Sequence, residues 1–216
     1  MKDRSIWALL LTMLLTAAFT STYAEGPASI ALPQPGVDGG KPLMQALKER
    51  KSARDFSEAK LTPQVLSDLL WAAYGVNRPE SGRRTAPSSY NKQEIDVYAA
   101  TADGLFLYDP KAHGLVQVST EDIRALTGRQ TFVKTAPLNL IYVADLTKMG
   151  DGEEADKLAT SAANTGFIGQ NVYLFCASEG LATVFRAGID KEKLAAAMKL
   201  RPDQRITYSQ TVGYPK

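Results

Sequence analysis

Histidine and cysteine are nearly missing from this chain, which holds one of each in 216 residues. With only His113 and Cys176 available, a zinc or copper centre of imidazole and thiolate ligands is excluded, because such sites draw on several of them. No internal disulfide can form from a single thiol. A Ser-His-Asp hydrolase would have to use His113, which sits in the turn-like "YDPKAHGL". A surplus of one charge is lacking too. Lys and Arg number 25 against 23 Asp and Glu, a net +2, so no strong field marks a nucleic-acid partner or a membrane surface. The chain has no G-x-G-x-x-G dinucleotide fingerprint, no long charge run, no internal repeat and no low-complexity tract.

The first 24 residues differ in character from the rest. Lys2 and Arg4 precede an almost unbroken apolar run, Ile6 to Phe19, and small and polar residues lead to Thr22-Tyr23-Ala24. This is the layout of a secretory signal peptide over 1–24, cut after Ala24; an uncleaved anchor is the alternative. The apolar run is about 14 residues, against the roughly 20 that span a bilayer. No paired arginines indicate a twin-arginine route, and no cysteine near the cut indicates a lipoprotein. The expected location is therefore periplasmic or secreted, with no stable membrane insertion after cleavage. Cleavage removes Lys2, Arg4 and Asp3, leaving a net charge of +1.

Residues 25–40, rich in Pro and Gly, read as an extended lead-in, and 41–216 as one domain. Pro42 opens a short helix with Leu43, Met44 and Leu47 on one face. A stronger helix follows: Thr62 caps it, Pro63 fills its first turn, Val65, Leu66, Leu69 and Leu70 form its stripe, and Gly75 stops it. "EIDVYAAT" reads as a strand, "GLFLYDPKAHGLVQV" as a hairpin, residues 120–128 as a short helix, and "APLNLIYVAD" as a central strand buried on both faces. The long helix from Asp151 to about Gly180 carries apolar residues on more than one face and reads as buried all round. "LATVFRAG" is a strand, Asp190 caps "KEKLAAAMKL", and "RITYSQTVGYP" is the last strand. Helices and strands mix without βαβ repetition, so the fold class is α+β.

Three stretches carry candidate chemistry. "RKSARDF" sets Arg50, Lys51 and Arg54 around Ser52. Guanidinium groups bind a phosphate monoester through paired N–H donors, and a hydroxyl adds a hydrogen bond. Cations also gather at helix C-termini for the dipole alone. "APSSYNKQ" places Ser88, Ser89, Asn91 and Gln93 on a polar loop, able to face a planar heterocycle or simply to make a turn. In "ASEGLAT", Gly180 either lets the backbone approach a ligand or caps the long helix.

In this order and spacing the stretches resemble the nitroreductase family, over about residues 41–216. The Arg-basic-Ser-x-basic signature is met by Arg50, Lys51, Ser52 and Arg54, and the Pro-Ser-x-x-Asn-x-Gln loop by Pro87, Ser88, Asn91 and Gln93. An Ala136-Pro137 pair leads the central strand, Gly166, Gln170 and Asn171 lie on the long helix, and Gly213-Tyr214-Pro215 closes the last strand. The resemblance implies a mostly antiparallel central sheet flanked by helices, an interlocked homodimer, and non-covalent FMN. It implies that Arg50, Lys51, Ser52 and Arg54 hold the phosphate and ribityl end. Pro87, Ser88, Ser89 and Asn91 line the ring, from the partner subunit, and Glu179 and Gly180 approach the ring through their backbone. No acid–base catalytic side chain and no metal are expected, because the cofactor carries the chemistry. NAD(P)H is expected as electron donor and a small nitroaromatic or quinone as acceptor. The alternatives are a dehydrogenase acting on peptide azolines and a flavin-binding module with little turnover. Residues 119–135 and 145–157 are the expected substrate walls. Tyr90 and Lys92 are bulkier than many relatives carry, and Lys216 stands where the family continues into a basic tail.

Overall fold

The computed structural model describes residues 28–216, and the signal-peptide reading of 1–24 lies outside them. Nine strands form: β1 (Ser29–Ala31), β2 (Val76–Arg78), β3 (Arg83–Arg84), β4 (Ile95–Thr101), β5 (Gly104–Asp109), β6 (Gly114–Ser119), β7 (Leu138–Asp145), β8 (Ala182–Arg186) and β9 (Gln204–Gly213). Four helices accompany them: α1 (Leu43–Glu49), α2 (Pro63–Tyr74), α3 (Glu154–Glu179) and α4 (Lys191–Ala197). Seven strands make one sheet in the order β1-β6-β5-β4-β7-β9-β8. Each neighbouring pair is antiparallel.

The alternation of β7 builds the layers. Leu138, Leu140, Tyr142 and Ala144 face α2 and α3, whose Leu69, Leu70, Ala73, Ile168 and Val172 cover them. Ile141 and Val143 face the other side, under Ile123, Leu194 of α4 and Met198 just after that helix. Both faces are covered, so all eight residues of β7 are buried, as its continuous apolar run predicts. Full burial of each Leu, Ile or Val among them contributes about 1.5–3 kcal/mol relative to exposure.

The helix ends follow local chemistry. The Thr62 side chain accepts from the Val65 N–H, with Pro63 in the first turn of α2. The Asp190 side chain accepts from the Lys193 N–H at 3.1 Å. Gly75 ends α2 in an extended conformation, not a left-handed one. A Cβ there would meet Trp71 Cα at 2.7 Å, so space rather than backbone freedom selects glycine.

Three expectations change. Residues 120–128 shrink to a single 3-10 turn, Arg124–Leu126. The helix α3 is buried along one stripe, Ser161, Asn164, Thr165, Ile168, Val172 and Cys176, while Phe167 on its far side is 48 % exposed. Leu43 and Met44 of α1 are 62 % and 76 % exposed, because α1 turns Ala46 inward instead. The lead-in is more ordered than its composition implies. Its β1 pairs with β6, and Ser67 Oγ donates to Pro33 O at 2.6 Å. No described helix is long and apolar enough to cross a membrane.

Candidate functional site

The cationic stretch leaves α1 at Arg50 in an extended conformation and runs beside β8. The Ala53 N–H donates to Thr183 O at 2.9 Å, and the Ser57 N–H to Tyr214 O at 2.8 Å. Phe56 forms an antiparallel bridge with Pro215. This lacing carries the C-terminus back to the stretch. Lys51 and Lys216 consequently line one cavity of about 610 Å³, with Lys41, Asp55, Tyr173 and Gly180 among its walls. Ligand pockets commonly span about 300–1,000 Å³.

Tyr173, which the sequence reading did not single out, organises the edge of this cavity. Its hydroxyl lies 2.7 Å from Ser52 Oγ and accepts from the Phe185 N–H at 2.9 Å. The Arg50 guanidinium carbon sits 5.2 Å from the centroid of its ring. Tyr173, Cys176, Ala177 and Gly180 occupy one face of α3 and its cap. That helical spacing is the signal by which Tyr173 is recognisable.

Lys41 also escaped the sequence reading. Its ammonium donates to Ala177 O at 3.1 Å and pairs with Glu49 at 2.7 Å, placing a cation at the C-terminal end of α3. Hydrogen bonds from Lys41 and then Gln45 hold the Glu49 carboxyl below its ordinary range. Arg50, Lys51, Arg54 and Lys216 form no ion pair among the described residues. Their positive charge stays available to a ligand. Burial pushes the Cys176 thiol far up, so it is no thiolate nucleophile.

The loop of Pro87, Ser88, Ser89 and Asn91 lies elsewhere on the chain. None of these residues lines the cavity that holds Lys51 and Lys216. Tyr90, Asn91 and Gln93 adopt left-handed backbone, with φ of 50°, 54° and 50°. The Gln93 N–H donates to Ser88 Oγ at 2.9 Å, and the Gln93 side chain bonds Gly82 O, Asn91 Oδ1 and Arg84 Nε. Gln93 is therefore a staple of the loop rather than a free donor. Arg84 in turn lies 4.3 Å over the ring of buried Tyr74, whose hydroxyl pKa burial pushes up to about 12. This rigid support leaves Tyr90 projecting, 94 % exposed.

At the end of α3 the capping role is explicit. Gly180 is left-handed, with φ 72°, and its N–H bonds Cys176 O. The Leu181 N–H bonds the same carbonyl at 2.8 Å. Only the carbonyl and the open Cβ-free side of Gly180 remain for a ligand. Glu179 faces a neighbouring groove bounded by Trp71, Asn171 and Phe175.

One wall is pinned from below. Buried Arg186 donates to Thr127 O at 2.8 Å and to Asn139 Oδ1 at 3.1 Å, with no carboxylate bonded to it among the described residues. Burial lowers its pKa to about 10. Within 119–135, residue 127 is thus tied to the sheet interior.

Similar proteins fit this arrangement. The model of the Nitroreductase family matches residues 47–214. A crystal structure of a Ralstonia eutropha chain bearing the nitroreductase name is 43 % identical, covers 88 % of this chain and 94 % of that one, and superposes with a TM-score of 0.83. A Methanocaldococcus jannaschii protein of the same name is 29 % identical over 169 residues, 74 % of this chain and 85 % of that protein. A Desulfovibrio desulfuricans structure in complex with FMN is 21 % identical, covers 82 % and 88 % of the two chains, and has a TM-score of 0.60, a likeness of fold. From residue 47 to the Gly-Tyr-Pro turn, in sequence and in fold, this chain belongs to the nitroreductase family.

Proposed function

We propose that this FMN-dependent oxidoreductase holds the cofactor's phosphate on Arg50, Ser52 and Arg54, helped by Lys51 and Lys216, and works as a homodimer. The observation that carries the reading is a cavity lined by Lys51, Lys216 and Tyr173, with Arg50 stacked on the Tyr173 ring and Ser52 hydrogen-bonded to its hydroxyl, although Arg50, Ser52 and Arg54 do not themselves line it. Bound FMN supplies two-electron hydride chemistry. The protein's part is to bind, to orient and to exclude water. Guanidinium forks match a phosphate dianion in geometry as well as charge.

The homodimer reading rests on two features. Leu43, Met44 and Phe167 leave an apolar surface uncovered, and residues 87–91 lie away from the cavity of their own chain. A second copy that covers the apolar surface would bring its Pro87, Ser88, Ser89 and Asn91 to the ring. The carbonyl side of Gly180 would then border the same space.

NAD(P)H is the proposed donor and a small nitroaromatic or quinone the proposed acceptor. The leader over 1–24 favours an exported enzyme, for which a quinol or a redox protein is the competing donor. Purified mature protein titrated with FMN should turn yellow and then bleach anaerobically with NADPH. A protein that stays colourless in excess FMN overturns the cofactor assignment. One that bleaches with dithionite but with no physiological donor is a binding module. Intact mass of protein from the periplasmic fraction tests the cut after Ala24.

A further inference from the structure

We infer that Tyr173 is a positioning residue for the anion end of the cofactor site: its hydroxyl orients the Ser52 hydroxyl while its ring carries the Arg50 guanidinium. The inference rests on the reading of residues 50–54 as a phosphate cradle.

The argument is a count of hydrogens. The phenol oxygen of Tyr173 has one hydrogen to give. The backbone N–H of Phe185, 2.9 Å away, can only donate, so the phenol oxygen accepts there. Its own hydrogen then goes to Ser52 Oγ at 2.7 Å. Reversing that bond would set two donors on the phenol oxygen and leave its hydrogen without an acceptor among the described residues. Ser52 therefore receives a hydrogen from Tyr173 and keeps its own hydrogen for an outside acceptor. The chain runs in one direction: Phe185 N–H to Tyr173, Tyr173 to Ser52, Ser52 to a ligand oxygen. Bonds aligned this way polarise one another and strengthen the last donor.

The ring does a second job. Arg50, half-buried, has its guanidinium carbon 5.2 Å from the ring centroid and no carboxylate to hold it among the described residues. Stacking on Tyr173 limits the rotamers of a long side chain before any ligand arrives. One residue of α3 thus ties β8 to the 50–56 stretch and sets two donors of that stretch. Preorganisation of this kind reduces what the ligand must order on binding.

The test uses FMN and riboflavin, which differ only by the phosphate, with dissociation constants measured by flavin fluorescence. Wild-type protein should prefer FMN at least about tenfold, as a charged phosphate contact requires. Tyr173→Phe keeps the ring and should weaken FMN roughly three- to tenfold while leaving riboflavin within about twofold. Tyr173→Leu removes the platform too and should weaken FMN further. In a Ser52→Ala background, Tyr173→Phe should add less loss than in wild type. A wild type without preference for FMN overturns the phosphate reading itself. A wild-type preference that Tyr173→Phe leaves unchanged overturns the role of Tyr173 alone. Parallel loss of both flavins does the same, because a purely structural residue would not discriminate them. Ser52→Ala is a surface change and provides the comparison where the Tyr173 variants melt early.

Discussion

Gly213 lies against Pro137 so closely that a Cβ on the glycine would sit 2.8 Å from the proline Cδ. Two separate sequence signatures, the Ala-Pro pair before β7 and the Gly-Tyr-Pro turn after β9, are thus halves of one packing contact. Gly213→Ala should destabilise the fold by about 1–3 kcal/mol through overpacking. Urea unfolding should show a lower midpoint with an unchanged m-value, and an unchanged midpoint would contradict the contact.

Arg50→Ala should cost about 1.5–3 kcal/mol of FMN affinity, the scale of a hydrogen bond to a charged group. Arg50→Lys should recover only part, because an ammonium lacks the planar fork. Lys216→Ala, at an exposed position, should cost at most about 1 kcal/mol. Fluorescence titration reads all three, and full FMN retention in Arg50→Ala counts against the cradle.

The single histidine makes acid stability readable. Ser67 Oγ donates to Pro33 O, so it accepts from Nε2 of His113 at 2.7 Å, and Tyr108 then donates to Nδ1 at 3.0 Å. The imidazole is neutral in this arrangement. Burial lowers its pKa below the usual 6.5, and the contact with Pro33 and the charge of Asp68 offset that only in part. The unfolded chain therefore takes up a proton that the folded chain refuses. Stability attributable to His113 is present above about pH 6.5 and falls as pH drops from there through the lowered folded value. Thermal melts between pH 7.5 and 5.5 should show this decline, and His113→Asn, which tolerates the left-handed φ of 48°, should flatten it.

The uncovered apolar residues give the oligomer prediction. Met44→Glu combined with Phe167→Glu places charge where a second copy would desolvate it. Light scattering should show half the wild-type mass, with FMN binding weakened in step. A wild type that is already monomeric removes the proposal of a shared site.

Much of the fold was legible because it depends on periodicity. The continuous apolar run of β7 and the Thr62-Pro63 opening of α2 each have one physical solution. The faces of α1 and α3 were not, because apolarity marks burial without saying in what. Leu43, Met44 and Phe167 are as apolar as core residues, yet this chain alone leaves them in water. At the site, residue types suggested a place for an anion but not what positions those side chains. Helical spacing sets Tyr173 on one face with Cys176, Ala177 and Gly180, but its bond to Ser52 joins residues distant in sequence, and no local pattern pairs those two. Gln93 matched a motif and turned out to brace its own loop, since a side-chain amide serves turn and ligand equally well.

The sheet's two outer margins are kept short on one side and bordered by another stretch of the chain on the other. On one side the three-residue β1 is followed by Pro33 and Pro35, which have no amide hydrogen to offer. On the other, the stretch of Arg50 to Phe56 lies along β8. Sheets blunted in this way resist edge-to-edge growth into aggregates. The same blunting protects a partly folded chain, in which unpaired strand edges are the first surfaces to meet another copy.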